Sequence, residues 1–323
     1  MCPVQARFSG FSVGDWPKAP NFAGQIPRIM ETANQSAGVL KITECPRDAM
    51  QGLPEFIATE RKAKYLNALL KVGFDTLDFG SFVSPKVIPQ LRDTAEVLAQ
   101  LDLSTTRTKL LAVVASVNGA RLACKYPEIY ALGFPLSVSE TFQLRNTRKS
   151  IAQAVDTVRE IQDLCQSTNK TLIVYLSMAF GNPYGDPYNP GIVESLADRV
   201  ANLGIRFISL ADTIGVSKPE NIKPLLEKLI PALPEVAIGA HFHSHPRSAT
   251  HKIAAAWEAG CYRFDGAMRG YGGCPMAEEE LTGNIATEVM VDYFHQLGAL
   301  TGLDMVAFGQ AYQQCAEVFH HAG

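Results

Sequence analysis

The sequence predicts an α/β fold: a (β/α)8 TIM barrel preceded by an N-terminal arm. Three observations carry that expectation. Apolar, often β-branched runs alternate eight times with helical stretches between residues 39 and 300. The runs are near-continuous, as in parallel strands covered on both faces. Eight strand–helix units in about 250 residues match the count and length of such a barrel. A doubly wound open sheet is the alternative, but no GxGxxG follows the first strand to give it a dinucleotide site.

The elements follow in order. Residues 1–38 form the arm, punctuated by proline and glycine, without sustained periodicity or the apolar core of a secretory signal. VLKITECP (39–46) is the first strand, followed by helical TERKAKYLNALLKVG (59–73). TLDFGSF (76–82) leads to a helix over 86–102, and TKLLAVVAS (108–116) to a short segment near 119–126. EIYALGFPLS (128–137) precedes a long helix over 146–168, whose apolar residues are Ile151, Val155, Val158, Ile161 and Leu164. LIVYLSM (172–178) pairs with a helix over 190–204, and RFISLADT (206–213) with one over 219–233. VAIGAHFH (236–243) is followed by a helix over 248–260, and CYRFDGAM (261–268) by one over 284–298. Gly73, Gly204, Gly260 and Gly298 supply helix stops. Residues 301–323 read as a helical tail beyond the barrel domain of 39–300.

Composition narrows the function. The 323 residues are 47% hydrophobic and 19% charged, with a net charge of -3. That is a globular balance with no bias toward nucleic acid or anionic membrane. No apolar run approaches the roughly 20 residues needed to span a bilayer. Seven cysteines without CxxC pairing suit a reducing compartment, and the cytoplasm is expected. Arg7, Lys18 and Arg28 in the acid-poor arm leave organelle import open, although Asp15 and Trp16-Pro17 weigh against it. A homo-oligomer is expected, with the arm packing on the domain or on a partner subunit.

Catalytic residues of such barrels stand at the C-terminal strand ends. Strand 7 ends in GAHFHSHPR (239–247), three of the chain's seven histidines within five residues. Residues i and i+2 share a face of a strand, so His241 and His243 both point to the barrel mouth, about 7 Å apart. One isolated histidine would read as a core residue satisfied by hydrogen bonds. Two at this spacing, facing the charged Arg47-Asp48 across the mouth, point to a divalent ion. Asp48 offers a hard carboxylate and Asn284 a neutral oxygen, a set suited to Mg²⁺ or Mn²⁺ with positions left for substrate. His245, before Pro246, is assigned outside that set.

Seven motifs in order resemble the hydroxymethylglutaryl-CoA lyase family, within a wider group of metal-dependent aldolases and synthases. They are PRDAMQ (46–51), SFVSPKVIPQ (81–90), GNPYG (181–185), LADTIGV (210–216), HFH (241–243), GYGGCP (270–275) and GNIATE (283–288). The resemblance implies Asp48, His241, His243 and Asn284 as metal ligands, and an acyl-CoA as substrate. It implies that Arg47 binds that substrate and steadies the enolate, with Gln51 and Thr213 as further substrate-binding residues. Cys274 matches the family's active-site cysteine on a mobile flap. Asp78 stands where the family usually has glutamate, and Asp212 aligns with an acidic residue lining the pocket.

The reaction so implied is cleavage of 3-hydroxy-3-methylglutaryl-CoA, or a related 3-hydroxyacyl-CoA, to acetyl-CoA and a keto acid. Departures cluster around the substrate. Ala49, Met50 and Gly52-Leu53-Pro54 replace the usual first-motif residues, Ser244-His245 follow HFH, and the flap carries three glutamates. The reaction type is therefore expected to be kept, while the acyl group is left open. A synthase condensing acetyl-CoA with a 2-oxo acid and a non-catalytic CoA-thioester-binding barrel are the competing readings. An early C-terminus counts against the first, and the intact ligand set against the second.

Overall fold

The computed structural model describes residues 38–273, 282–299 and 302–320. The arm lies outside them except for Gly38, as does Cys274. Eight strands, β1 (Lys41–Glu44), β2 (Thr76–Ser81), β3 (Lys109–Val113), β4 (Ile129–Ser137), β5 (Thr171–Ser177), β6 (Phe207–Asp212), β7 (Ala237–Phe242) and β8 (Arg263–Gly266), pair in chain order and close as a barrel. Every pairing is parallel, including the β1–β8 closure. The (β/α)8 expectation holds.

Two apolar layers stabilise it. Inside the barrel, Leu111, Val113, Ala131 and Ile173 are buried, with Tyr175 and Phe207 packed against them. Outside, the opposite faces of the strands meet the helices in a much larger cluster that includes Leu69, Leu132, Val174, Phe264 and Phe294. Burial on both faces explains why the strands read as unbroken apolar runs.

Register decides what reaches the mouth. Thr43 and His241 are both partners of Asp265, and Ala211 is a partner of His241. Paired residues of parallel strands share a face, so these four side chains form one inward-facing tier at the C-terminal end.

The helices depart from expectation where local chemistry overrides periodicity. Arg47 and Asp48, directly after the run expected as the first strand, lie on a short helix α1 (Pro46–Met50) opened by Pro46 at its first turn. Helix α2 (Thr59–Val72) is as expected and stops at Gly73, which has φ 87°. The helix expected over 86–102 is reduced to a 3₁₀ turn (Pro89–Leu91) and α3 (Thr94–Leu98). Ile88 precedes a proline and is held at φ -126°, ψ 79°, outside the helical region.

Beyond β3 and β4 come α4 (Val117–Ala123), α5 (Glu140–Thr147) and α6 (Ile151–Ser167). The single helix expected over 146–168 is thus split. Arg148 turns left-handed at φ 57°, and Ser150 starts α6 afresh through a capping box with Gln153. Helices α7 (Pro190–Ala201), α8 (Pro219–Ala232) and α9 (Pro246–Glu258) each open with proline. The last barrel helix, α10 (Thr287–Gln296), starts three residues later than expected. Asn284 and Ala286 instead form isolated bridges with His243 and Ala267. The tail is α11 (Met305–His320).

Lys252 of α9 fastens the ends of β6 and β7. It is 2% exposed, and its ammonium donates to Asp212 Oδ2 at 2.7 Å, to the His243 carbonyl at 2.8 Å and to the Gly215 carbonyl at 3.1 Å. Removing the cation would leave the Asp212 carboxylate buried without its counter-charge, a loss of about 3–5 kcal/mol. Lys252→Met is expected to lower the urea midpoint accordingly, and Lys252→Met with Asp212→Asn to recover much of it. An unchanged midpoint in the single variant would remove the clamp from the stability of the barrel.

Candidate metal centre and active site

Five buried side chains meet at the C-terminal mouth: Asp48 from α1, Asp78 from β2, His241 and His243 from the end of β7, and Asn284 from the segment before α10. Ligand-capable atoms of Asp48, His241 and His243 all lie within 4.8 Å of one another. His243 Nε2 is 3.9 Å from Asp48 Oδ2. The Asn284 amide donates to Asp48 Oδ2 at 2.8 Å and to the Tyr271 carbonyl at 3.0 Å. Its Oδ1 is buried with no hydrogen-bond partner. A buried acceptor without a donor is costly. A cation seated among Asp48, His241 and His243 would satisfy it.

Each imidazole is held by its Nδ1. His241 Nδ1 lies 3.2 Å from Asp265 Oδ2, and His243 Nδ1 lies 3.0 Å from the Thr213 carbonyl. A carbonyl can only accept, so His243 carries its proton on Nδ1 and presents a bare Nε2. Fixing one ring nitrogen so that the other faces a metal is the usual outer support of histidine ligands. Burial, followed by the neighbouring His241, lowers His243 to about 4 and so keeps it neutral. For His241 burial acts downward, but the Asp265 hydrogen bond and charge outweigh it and raise the group.

Arg47 knits the carboxylates together. Its Nε and Nη2 donate to Asp78, with Nη2–Oδ2 at 2.6 Å; its Nη1 donates to Asp48 Oδ1 and to Gln51 Oε1, each at 2.9 Å. Burial opposes the guanidinium charge, but Asp78 and Asp48 outweigh it and hold Arg47 above its ordinary value. Burial likewise pushes Asp48 up. Arg47, the imidazoles and the Asn284 amide reverse that push and keep it below the usual carboxylate range. Asp78 is lifted to about 6 by burial, with Arg47 working against the rise.

The structure therefore brings Arg47, Asp48, Gln51, Asp78, His241, His243 and Asn284 into one group. Thr213 joins it by its backbone carbonyl, while its hydroxyl accepts from Met178 N. Asp212 is set apart, contrary to the expectation that it lines the pocket. It is 1% exposed, and its oxygens accept from Lys252, from Ser217 Oγ and N, and from Val216 N. The alternation of β6 turns it outward from the tier that contains Ala211. His245 caps α9, its Nδ1 accepting from Arg247 N at 3.3 Å.

Asp265 is the member that sequence reasoning missed. A carboxylate inside the buried run RFDG was itself a signal, since charge inside a strand is costly without a partner. Gly272 completes the wall. At φ 105°, a Cβ there would fall 2.5 Å from Asn284 Nδ2, so only glycine lets the loop pass this close. A hollow lined by Glu60, Arg61, Lys64, Tyr65 and Glu317 lies on the helical flank and brings no such ligand set together.

The donor set fits a hard divalent ion: carboxylate and amide oxygens with two imidazoles, in a pocket where carboxylates outnumber cations. Asp265→Asn is expected to weaken Mn²⁺ binding by about 10–100-fold, because an outer partner sets the ring orientation of its ligand. Calorimetric titration with Mn²⁺ reads this directly; unchanged affinity would deny Asp265 that role.

Comparison with known proteins adds a family-level finding. The HMGL-like family model matches residues 41–314. A hydroxymethylglutaryl-CoA lyase of Bacillus subtilis is 34% identical over 260 residues, covering 80% of this chain and 86% of its own. An (R)-citramalyl-CoA lyase of Chloroflexus aurantiacus is 28% identical over 271 residues, covering 81% and 85%. Among solved structures, an HMG-CoA lyase from Acinetobacter baumannii in complex with coenzyme A and 3-methylmalate superposes with TM-score 0.80. It is 32% identical and covers 87% of this chain and 91% of its own.

Proposed function

The chain belongs to the HMGL-like family, and we propose on that footing that it is a metal-dependent carbon–carbon lyase. It cleaves 3-hydroxy-3-methylglutaryl-CoA or a close relative to acetyl-CoA and a keto acid. The observation that carries this is the buried Asp48–His241–His243–Asn284 group with its unpartnered amide oxygen, set against the Arg47 fork.

Asp48, His241, His243 and Asn284 would hold Mg²⁺ or Mn²⁺. Such an ion supplies a Lewis acid that binds the substrate alcohol and lowers its pKa. The protein's own work is then to stabilise the enolate. Arg47 has five N–H donors, and all but one, on Nη2, are engaged by Asp78, Asp48 and Gln51. The remaining donor is assigned to the thioester oxygen as charge develops there. Asp78 and Gln51 fix the plane of the guanidinium, so little reorganisation is needed at the moment of reaction. Cys274, next in the chain after Gly273 and outside the described residues, is assigned the return of a proton to the enolate carbon.

The acyl group is left to the periphery, where Gly52-Leu53-Pro54 and Ser244–Arg247 depart from the resemblance. A reducing, cytoplasmic setting is part of the same reading, supported by five free cysteines among the described residues. A homo-oligomer remains the expectation, and sedimentation velocity tests it.

After chelation, the purified chain is expected to cleave hydroxymethylglutaryl-CoA only when Mg²⁺ or Mn²⁺ is restored. Condensation of acetyl-CoA with a 2-oxo acid, with no cleavage of any 3-hydroxyacyl-CoA, would overturn the reading. Arg47→Lys is expected to lower kcat by about 10²–10³-fold with little change in KM, because an ammonium cannot reproduce the fork. A KM-only effect would move Arg47 from chemistry to binding.

A further inference from the structure

Beside the mouth group lies a second buried cluster. Cys45, His241 and Asp265 are 1%, 7% and 6% exposed, and their ligand-capable atoms all lie within 4.8 Å of one another. Cys45 follows β1 directly and is anchored through its backbone N–H to the Gly266 carbonyl at 2.8 Å, which fixes it beside β8. The Cys45 thiol has only a weak partner, the Thr43 carbonyl at 3.8 Å. The structure thus holds a sulfur, an imidazole nitrogen and a carboxylate together in a largely buried position.

We propose that Cys45, His241 and Asp265 form a distinct site for a thiophilic divalent ion of the Zn²⁺ class, sharing His241 with the mouth group. Thiolate, imidazole and carboxylate are the donors of three-ligand zinc sites. A soft sulfur ligand selects such ions over Mg²⁺ and Mn²⁺. Burial, with the neighbouring carboxylates adding to it, disfavours a free thiolate at Cys45, so its proton is released only as the ion binds.

Binding is a proton exchange with no change of oxidation state. The Sγ–H proton leaves to solvent as the S–metal bond forms, and Asp265 gives an oxygen. The ion replaces the hydrogen bond between His241 Nδ1 and Asp265 Oδ2. A neutral His241 must then carry its proton on Nε2, the nitrogen otherwise turned to the mouth. The two sites are therefore antagonistic, and a Zn²⁺-class ion in the second takes His241 away from the hard ion in the first.

Co²⁺ is the probe. Metal-stripped full-length protein with one equivalent of Co²⁺ is expected to show thiolate-to-Co(II) charge-transfer absorption in the near ultraviolet. Cys274→Ser should keep that absorption. Cys45→Ser should lose it while still binding Co²⁺ by calorimetry. Wild-type protein that binds Co²⁺ without the absorption, or a band that persists in Cys45→Ser, would overturn the site. Added Mg²⁺ is expected to bleach the band in proportion to occupancy of the mouth; a band indifferent to saturating Mg²⁺ would overturn the antagonism.

Discussion

The barrel mouth is organised by the cost of burying carboxylates. Asp48, Asp78 and Asp265 are each under 7% exposed and face one another across the interior, with Arg47 as the permanently charged cation among them. Each ion withdrawn from water costs several kcal/mol, recovered only through close, well-directed partners. The fork of Arg47 binds two of the three, and an imidazole binds the third. What remains is a negative field with one unpartnered amide oxygen in it, the conditions under which a divalent cation binds.

The scaffold shows how that arrangement is kept. Strand register puts His241 and Asp265 on one tier, so the ring is oriented by a neighbour on the adjacent strand and not by a mobile loop. Its companion His243 is oriented from the turn that directly follows β6, through the Thr213 carbonyl, while Lys252 ties the same strand ends together from behind. The residues that hold the ligands thus come from a strand, from a buried helix and from a turn anchored at a strand end. Asn284 is the exception. It bridges to His243 as an added rung of the sheet, and a glycine at 272 allows the neighbouring loop to close against it.

Much of this was legible in the sequence, for identifiable reasons. Strands buried on both faces leave unbroken apolar runs, and the i, i+2 rule places His241 and His243 on one side whatever the barrel does elsewhere. Helix boundaries were legible only where periodicity was the controlling influence. Pro89 and the Ser150 capping box overrode it, dividing or shortening two helices that looked continuous. Asp212 was misplaced because alignment with an acidic position carries no information about which way its strand turns the side chain. Asp265 and Cys45 went unseen because their significance lies in cross-strand proximity, which depends on the β7–β8 pairing for the one and on the β1–β8 closure for the other.

The central claim is that one divalent ion sits between α1, β7 and the segment before α10. Anomalous diffraction from crystals grown with Mn²⁺ tests it most directly. The account requires a single strong peak within bonding distance of an Asp48 oxygen, His241 Nε2, His243 Nε2 and Asn284 Oδ1. A peak bound elsewhere on the chain, or a mouth that stays empty at saturating Mn²⁺ with Asn284 Oδ1 still unpartnered, would contradict it.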